Sequence, residues 1–157
     1  MARDQKFMKM AIQLAEQNVA LGKGGPFGAI VVKEGKVIAK SANKVTSSND
    51  PTAHAEVSAI RLACKKLNTF DLAGCIIYTS CEPCPMCLGA IYWARLDAIY
   101  YANTKKDAAA IGFDDQFIYE ELDLPMAKRK LPIIQLMREE ALGAFRSWDQ
   151  SSLKISY

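Results

Sequence analysis

The chain has 157 residues and a formal net charge of +3, and half of its residues are apolar. This length is typical of one domain, because domains usually contain about 100–200 residues. A nucleic-acid-binding face usually shows a strong, clustered basic excess, which this composition lacks. Apolar runs also stay shorter than the roughly 18 residues of a membrane span. We therefore expect a globular protein that binds neither nucleic acid nor a membrane.

The cysteines indicate a reducing compartment. Their number is odd, and the sequence starts with helical spacing rather than with the apolar core of a signal peptide. Both features favour a cytoplasmic protein over a disulfide-bonded one. The two outlying cysteines are expected to be buried, and the other three cluster as a metal or redox site would require. The five are Cys64, Cys75, Cys81, Cys84 and Cys87.

The N-terminal third predicts a helix followed by a hairpin. Apolar residues at helical spacing predict a helix over about 4–21. Residues 27–32 and 36–40 are apolar runs joined by a turn, in which Gly35 supplies a conformation that other residues resist. Residues 41–52 are mostly turn-forming and predict a loop.

The middle of the chain alternates between helices and strands. Helices are predicted over about 53–67, 83–95 and 105–111, and buried strands at 75–80 and 97–102. This alternation is typical of a layered α/β fold with parallel strand pairing. Because the hairpin adds antiparallel pairs, we expect a mixed sheet.

Beyond Gly112 the periodicity weakens. Pro125 and Pro132 interrupt the chain, and residues 133–148 suit a strand, a helix or both. The segment therefore resembles an arm more than a compact element.

The most informative residues are His54 and Glu56, two apart, and Cys84 and Cys87, three apart. This spacing, with a proline before the first cysteine, is typical of zinc deaminases. Imidazole and thiolate are ligands that zinc prefers. We predict that His54, behind an N-capping Thr52, and both cysteines lie in first turns of helices, where the helix dipole favours thiolates.

Three protein ligands leave a fourth coordination position for water, which marks a catalytic zinc ion rather than a structural one. Zinc lowers the pKa of a bound water to about 7 and so yields hydroxide at neutral pH. Glu56 is the candidate acid–base residue, although side chains two apart on a helix do not normally share a face. His54 is the only histidine, which excludes sites that need two or more.

Two other interpretations of the same residues remain open. A pair such as Cys84 and Cys87, at the start of a helix after a buried strand, is also typical of a thioredoxin-like redox site. Alternatively, Cys81 is a fourth ligand that closes a structural zinc site in a binding module. The combination of His54 and Glu56 favours the deaminase, because neither alternative uses the glutamate.

Together these residues resemble the cytidine deaminase-like superfamily and, more narrowly, the short bacterial guanine deaminases. The resemblance extends over nearly the whole chain and is most specific at residues 46–57, 80–95 and 112–119. The first two ranges indicate the superfamily. The third range, together with Tyr157, indicates guanine.

The resemblance implies one zinc deaminase domain over residues 1–157, with three α/β/α layers around a five-stranded mixed sheet. It implies one zinc ion per chain and the hydrolysis of guanine to xanthine and ammonia in purine metabolism. Zinc-bound hydroxide would attack the amino-bearing carbon, and Glu56 would shuttle the protons. It also implies a homodimer that exchanges C-terminal arms, about 112–157, so that Asp115 and Tyr157 reach the partner's pocket.

The resemblance also implies a set of residues that contact the purine. Asn43 would bind the base edge, Phe27 and Trp93 would wall the pocket, and Asp115 would bind a ring N–H or help to move protons. From the residues alone, Asn43 also suits a turn, Trp93 the core, and Asp115 a helix cap. The substrate-binding residues implied are Asn43, Phe27, Ala55, Trp93, Asp115 and Tyr157.

Other deaminases remain as alternatives. A guanosine deaminase is also similar around residues 113–115. A tRNA adenosine deaminase shares the metal motifs but needs a basic RNA-binding face, and residues 148–157 are not conspicuously basic. A cytidine deaminase is the third alternative.

Overall fold

The computed structural model describes residues 2–157, which divide into two compact units. The first unit ends at Asp115, and the second comprises Gln116–Tyr157. The elements of the first unit are α1 (Ala2–Ala20), β1 (Gly28–Lys33), β2 (Lys36–Ala42), α2 (Val45–Ser48), α3 (Ala55–Leu67), β3 (Cys75–Cys81), α4 (Pro85–Trp93), β4 (Ala98–Asn103) and α5 (Lys105–Ala110).

The strands of the first unit form one mixed sheet in the order β2-β1-β3-β4. The hairpin partners β1 and β2 are antiparallel, β1 and β3 are antiparallel, and β3 and β4 are parallel. The hairpin turn places Glu34 at φ 48° and Gly35 at φ 70°, the left-handed region that glycine enters most readily. The predicted hairpin and the mixed sheet are therefore confirmed.

Alternating side chains build a separate core on each face of the sheet. The core on the α1 side comprises Phe7, Ile30, Val32 and Tyr78. The larger core on the α3 side includes Ala29, Val31, Ala55, Ala59, Ala63 and Ile77. At Gly28 the backbone of α1 lies so close that a Cβ would overlap the carbonyl oxygen of Ala11. Helix α1, the sheet and helices α3 and α4 thus form the three predicted layers.

Two predictions about the strands need correction. Within residues 2–157 the sheet has four strands rather than five. Residues 133–148, which the sequence left open, form no fifth strand: from Arg138 onward they lie in a helix whose first turn carries acidic residues, which the helix dipole favours there. Strand β4 is not buried, since it is an edge strand of this sheet and exposes Tyr100 and Tyr101. Its apolar composition alone does not distinguish an edge strand from a central one.

The predicted loop at residues 41–52 is more ordered than the turn-forming composition suggests. Strand β2 continues to Ala42, and the single turn of α2 follows at Val45–Ser48. The side-chain oxygen of Asn43 accepts a hydrogen bond from the N–H of Val45 at 3.2 Å, which stabilises the start of that turn.

The second unit contains α6 (Gln116–Asp123), a turn of 3-10 helix (Met126–Lys128) and α7 (Arg138–Gln150). Between Gln116 and Tyr157 every described residue is at least partly exposed. Large apolar side chains are among the most exposed of them, with Ile134 at 85% and Leu153 at 87%. Neither unit, within residues 2–157, has a helix that is long and apolar enough to cross a membrane.

Candidate functional site

Three of the residues singled out by the sequence lie together in the first unit. One ligand atom from each of His54, Cys84 and Cys87 lies within 4.8 Å of the others. The Nδ1 atom of His54 is 3.5 Å from the Sγ atom of Cys84 and 3.5 Å from that of Cys87. Tetrahedral zinc, with Zn–S of about 2.3 Å and Zn–N of about 2.0 Å, separates such atoms by roughly 3.5 Å. The group therefore fits zinc in both chemistry and spacing.

Two helix N-termini carry these residues. His54 is the N-cap of α3 and Cys84 is the N-cap of α4, both in extended conformation, and Cys87 lies in the first turn of α4. The sequence placed His54 and Cys84 inside the helices, whereas both lie just outside. Thr52 is not the N-cap, because the side chain of Asp50 forms a local turn and accepts the Thr52 hydroxyl at 2.7 Å.

The environment of the group favours a cation. Hydrogen bonds from Cys87 and His54 lower the pKa of Cys84, which favours its thiolate form. The same contact with Cys84 raises the pKa of His54. The pKa of Cys87 is also raised, because its hydrogen bond to Cys84 retains the proton. A metal ion that binds these residues replaces such protons.

Glu56 lies in the first turn of α3 and is only 5% exposed. Its burial raises the pKa of its carboxyl group, and a hydrogen bond joins that group to Cys87. Because His54 precedes the first turn of α3, the rule that residues two apart on a helix point in different directions does not apply to His54 and Glu56. The structure thus places a carboxyl group of raised pKa beside the candidate ligands, which suits acid–base chemistry near neutral pH.

Thr79 contacts this carboxylate, and sequence reasoning does not find it. The Thr79 hydroxyl donates to Oε1 of Glu56 at 3.2 Å, and the residue is 1% exposed. Thr79 follows Ile77 by two positions on β3, so it faces the same α3-side core. A polar side chain on the buried face of a central strand needs a hydrogen-bond partner. The position of a threonine in this buried strand is therefore the signal by which Thr79 could have been found.

A cavity of about 450 Å³ in the first unit brings together many of the predicted site residues. Two candidate ligands and Glu56 contribute to its wall, together with residues from the loops around β1, β2 and α5. The lining residues are Gly25, Phe27, Asn43, Val45, Thr46, Pro51, His54, Glu56, Cys81, Glu82, Cys84, Lys105, Ala108, Gly112, Phe113, Asp114 and Asp115.

The cavity offers aromatic, amide and acidic groups. The ring of Phe27 packs edge-on against Phe113, with centroids 4.9 Å apart, and sequence reasoning does not single out Phe113. Asn43 is 6% exposed and combines its local bond to Val45 with a place in the cavity wall. The pKa of Asp115 is raised, mainly by its partial burial and to a smaller extent by the negative charge of Cys84.

Other predicted residues lie elsewhere. Trp93 ends α4 with 69% of its surface exposed and is not among the described residues that line the cavity. Ala55 is fully buried at the start of α3, and Tyr157 belongs to the second unit. Asp115 was expected in a partner's pocket, but it lies in the first unit and lines the cavity of its own chain.

Cys81 has a different contact from the other clustered cysteines. Its thiol donates to the carbonyl oxygen of Thr104 at 3.6 Å, and burial raises its pKa to about 11. It is not a member of the candidate ligand group found among the described residues. The arrangement therefore leaves three protein ligands, as a catalytic site requires.

The family described as "Cytidine and deoxycytidylate deaminase zinc-binding region" matches residues 1–103. The chain belongs to this family of zinc-binding deaminases. The match confirms zinc as the cofactor, and the thioredoxin-like alternative is not supported.

Similar proteins narrow the class. Guanine deaminase of Bacillus subtilis (strain 168) is 55% identical over 153 residues, which cover 98% of both chains. The X-ray structure of guanine deaminase from Bacillus subtilis matches with a TM-score of 0.95, 55% identity and 98% coverage of both chains. The tRNA-specific adenosine deaminase of Aquifex aeolicus (strain VF5) is 38% identical over 136 residues, which cover 86% of both chains. The structural match confirms the predicted three-layer fold.

Proposed function

We propose that the chain is a guanine deaminase, which hydrolyses guanine to xanthine and ammonia. The observation that carries the proposal is a single cavity in which Glu56 and two candidate zinc ligands meet an aromatic wall and a buried amide. Guanine as the substrate is supported by the relative that is 55% identical over 98% of both chains. The five free cysteines agree with a reducing cytoplasm as the location.

The residues that would hold the metal are His54, Cys84 and Cys87. When bound there, zinc lowers the pKa of a coordinated water to about 7 and so supplies a hydroxide nucleophile at neutral pH. The ends of α3 and α4 keep the three side chains oriented, and the helix dipoles there favour the thiolate form of the cysteines.

Glu56 is the proposed proton carrier. It accepts a proton from the attacking water and gives it to the ring nitrogen beside the reacting carbon. It then takes the second proton from the new hydroxyl on that carbon and gives it to the amino group, which leaves as ammonia. Burial raises its pKa, which brings the group nearer to the range where it both accepts and returns a proton at neutral pH. The hydroxyl of Thr79 holds one carboxylate oxygen during this exchange.

The cavity residues would recognise the base. The amide of Asn43 donates to and accepts from the purine edge, and the ring of Phe27 covers a face of the base. Asp115 accepts a guanine ring N–H. Ala55, Trp93 and Tyr157 remain proposed contacts, and none of the three is among the described residues that line the cavity.

The reaction is tested by ammonia release from guanine, guanosine, cytosine, cytidine, adenine and a tRNA anticodon loop at equal concentrations. We expect guanine to be turned over with the highest kcat/KM. A higher value for guanosine would assign the nucleoside, and release only from the anticodon loop would assign a tRNA deaminase. If a zinc-loaded preparation released no ammonia from any of these substrates, the deaminase proposal itself would be contradicted.

We further propose a homodimer in which the C-terminal arms are exchanged and each arm covers the partner's cavity. The exchange would start after Asp115, because Asp115 lines its own cavity. The proposal is supported by the second unit, in which no described residue from Gln116 to Tyr157 is buried and large apolar side chains are exposed. Such apolar surface usually marks an interaction site.

Deleting residues 153–157 tests the arm. We expect guanine turnover to fall by roughly tenfold or more, because a small loss of positioning around the substrate costs up to about 10²-fold. Bound zinc is expected to stay unchanged, since its ligands lie in the first unit. Light scattering on the full chain should give the mass of two chains. A fully active truncated enzyme would exclude the closing role, and a monomeric full chain would exclude the exchange.

A further inference from the structure

A buried amide interrupts the apolar face of α1. The buried residues of this helix are Phe7, Ala11, Ala15 and Asn18, which share one face by helical spacing. Asn18 is the polar member of this set and is 6% exposed. Because a buried amide is costly unless its groups are hydrogen-bonded, the contacts of Asn18 indicate why it is there.

Both N–H groups of the Asn18 amide bind to the cavity wall. The Nδ2 atom donates to the carbonyl oxygen of Gly25 at 2.9 Å and to that of Asn43 at 2.9 Å. An amide nitrogen has two donors, so both are used. Gly25 precedes β1 and Asn43 follows β2, and both residues line the cavity. One side chain outside the cavity thus joins two of its lining segments.

The same two segments are also joined to each other. The N–H of Asn43 donates to the carbonyl oxygen of Phe27 at 2.9 Å, and the N–H of Phe27 donates to that of Gly25 at 2.9 Å. At Gly24 a Cβ would lie 2.7 Å from the carbonyl oxygen of Asn43 and 3.0 Å from Nδ2 of Asn18. The junction therefore requires glycine at this position, and its atoms have little room to move.

From this junction we infer that Asn18 is a positioning residue for the purine subsite, because its amide fixes the backbones that present Asn43 and Phe27 to the substrate. The Asn18 bond holds the carbonyl of Asn43, and the Val45 N–H holds the Asn43 side-chain oxygen. The bond from Asn18 thus fixes the position of the Asn43 backbone, and the bond from Val45 fixes the orientation of its side-chain amide. The inference rests on the proposed function, since it takes this cavity as the site of the base.

The effect of Asn18 on catalysis is expected in binding rather than in chemistry. Its hydrogen bonds end on the segments around Gly25 and Asn43, whereas Glu56 and the candidate ligands are carried by α3 and α4. Contacts that hold the base equally in the ground and transition states affect KM and leave kcat unchanged. A residue needed only for stability would lower the melting temperature without moving KM.

The test replaces Asn18 by Leu, which has a similar size and no donors. We expect the KM for guanine to rise roughly tenfold, the effect of losing one or two buried hydrogen bonds. We expect kcat to stay within about twofold, with bound zinc unchanged. Gly24→Ala disturbs the same junction from the other side and is expected to raise KM in the same way, so the inference has a second variant if Asn18→Leu does not fold.

Phe7→Leu is the matched control. Phe7 lies on the same face of α1 and packs against Tyr78, but it does not line the cavity. We expect a lower melting temperature with an unchanged KM. The inference is overturned if Asn18→Leu and Gly24→Ala keep the wild-type KM, or if their KM rises no more than that of Phe7→Leu. If wild type deaminates a different substrate of the panel, the proposed function fails, and the same KM comparison is made with that substrate.

Discussion

Glu56→Gln is expected to lower kcat for guanine by about 10²–10⁴-fold, the usual contribution of a positioned acid–base group. Glutamine keeps the shape of the side chain and still accepts the Thr79 hydroxyl at its amide oxygen. It carries no exchangeable carboxyl proton, so it cannot pass a proton from water to the ring nitrogen. The measurement is steady-state ammonia release, together with the zinc content of the same preparation.

Zinc content is central to this experiment because Glu56 contacts the candidate ligand Cys87. We expect Glu56→Gln to bind as much zinc as wild type, so that the loss of activity is assigned to proton transfer. Glu16→Gln on the exposed side of α1 removes the same charge far from the cavity and should retain full activity. Activity of Glu56→Gln within a few-fold of wild type would exclude Glu56 as the proton carrier.

The metal ligands were the part of the site that could be predicted most directly from the sequence. Cys84 and Cys87 are close along the chain, and any helix that begins at their position brings them together. His54 is far from them in sequence, but His54 and Glu56, two apart, match the first half of the zinc deaminase motif whose second half is the cysteine pair.

The contacts that surround the ligands could not be predicted as directly. Thr79 and Asn18 reach the site through hydrogen bonds across the sheet and the loops, and their own sequence neighbourhoods carry no metal or substrate motif. Trp93 was named as a pocket wall for its large flat ring and the family resemblance, and it remains a proposed contact. At the far end of α4 it is exposed and outside the cavity of the first unit.

The fold was predicted where local patterns are strong and missed where tertiary position decides. Two apolar runs joined by a turn with Gly35 predicted the hairpin, and the helix–strand alternation predicted the parallel pair β3 and β4. Whether a strand is central or at the edge depends on what pairs with it, which apolar composition does not encode. Tyr100 and Tyr101 are therefore exposed on a strand whose sequence resembles a buried one.

Cys87→Ser is expected to lose bound zinc and to lower guanine turnover by at least about 100-fold, since even outer-shell changes cost up to about that factor. Cys87 is fully buried, and a serine side chain is only slightly smaller than that of cysteine, so the fold should persist. The hydroxyl is not a ligand that zinc prefers, and only two candidate ligands then remain. The measurements are zinc per chain after dialysis, ammonia release and the melting temperature.

Cys81→Ser separates an open zinc site from a closed one. Cys81 is buried close to the ligand group, but its thiol donates to the carbonyl oxygen of Thr104, a bond that serine can also make. We therefore expect Cys81→Ser to bind zinc like wild type, in contrast to Cys87→Ser. Loss of zinc from both variants would mean that four protein ligands hold the metal. No coordination position would then be left for water, and hydrolysis at this ion would be excluded.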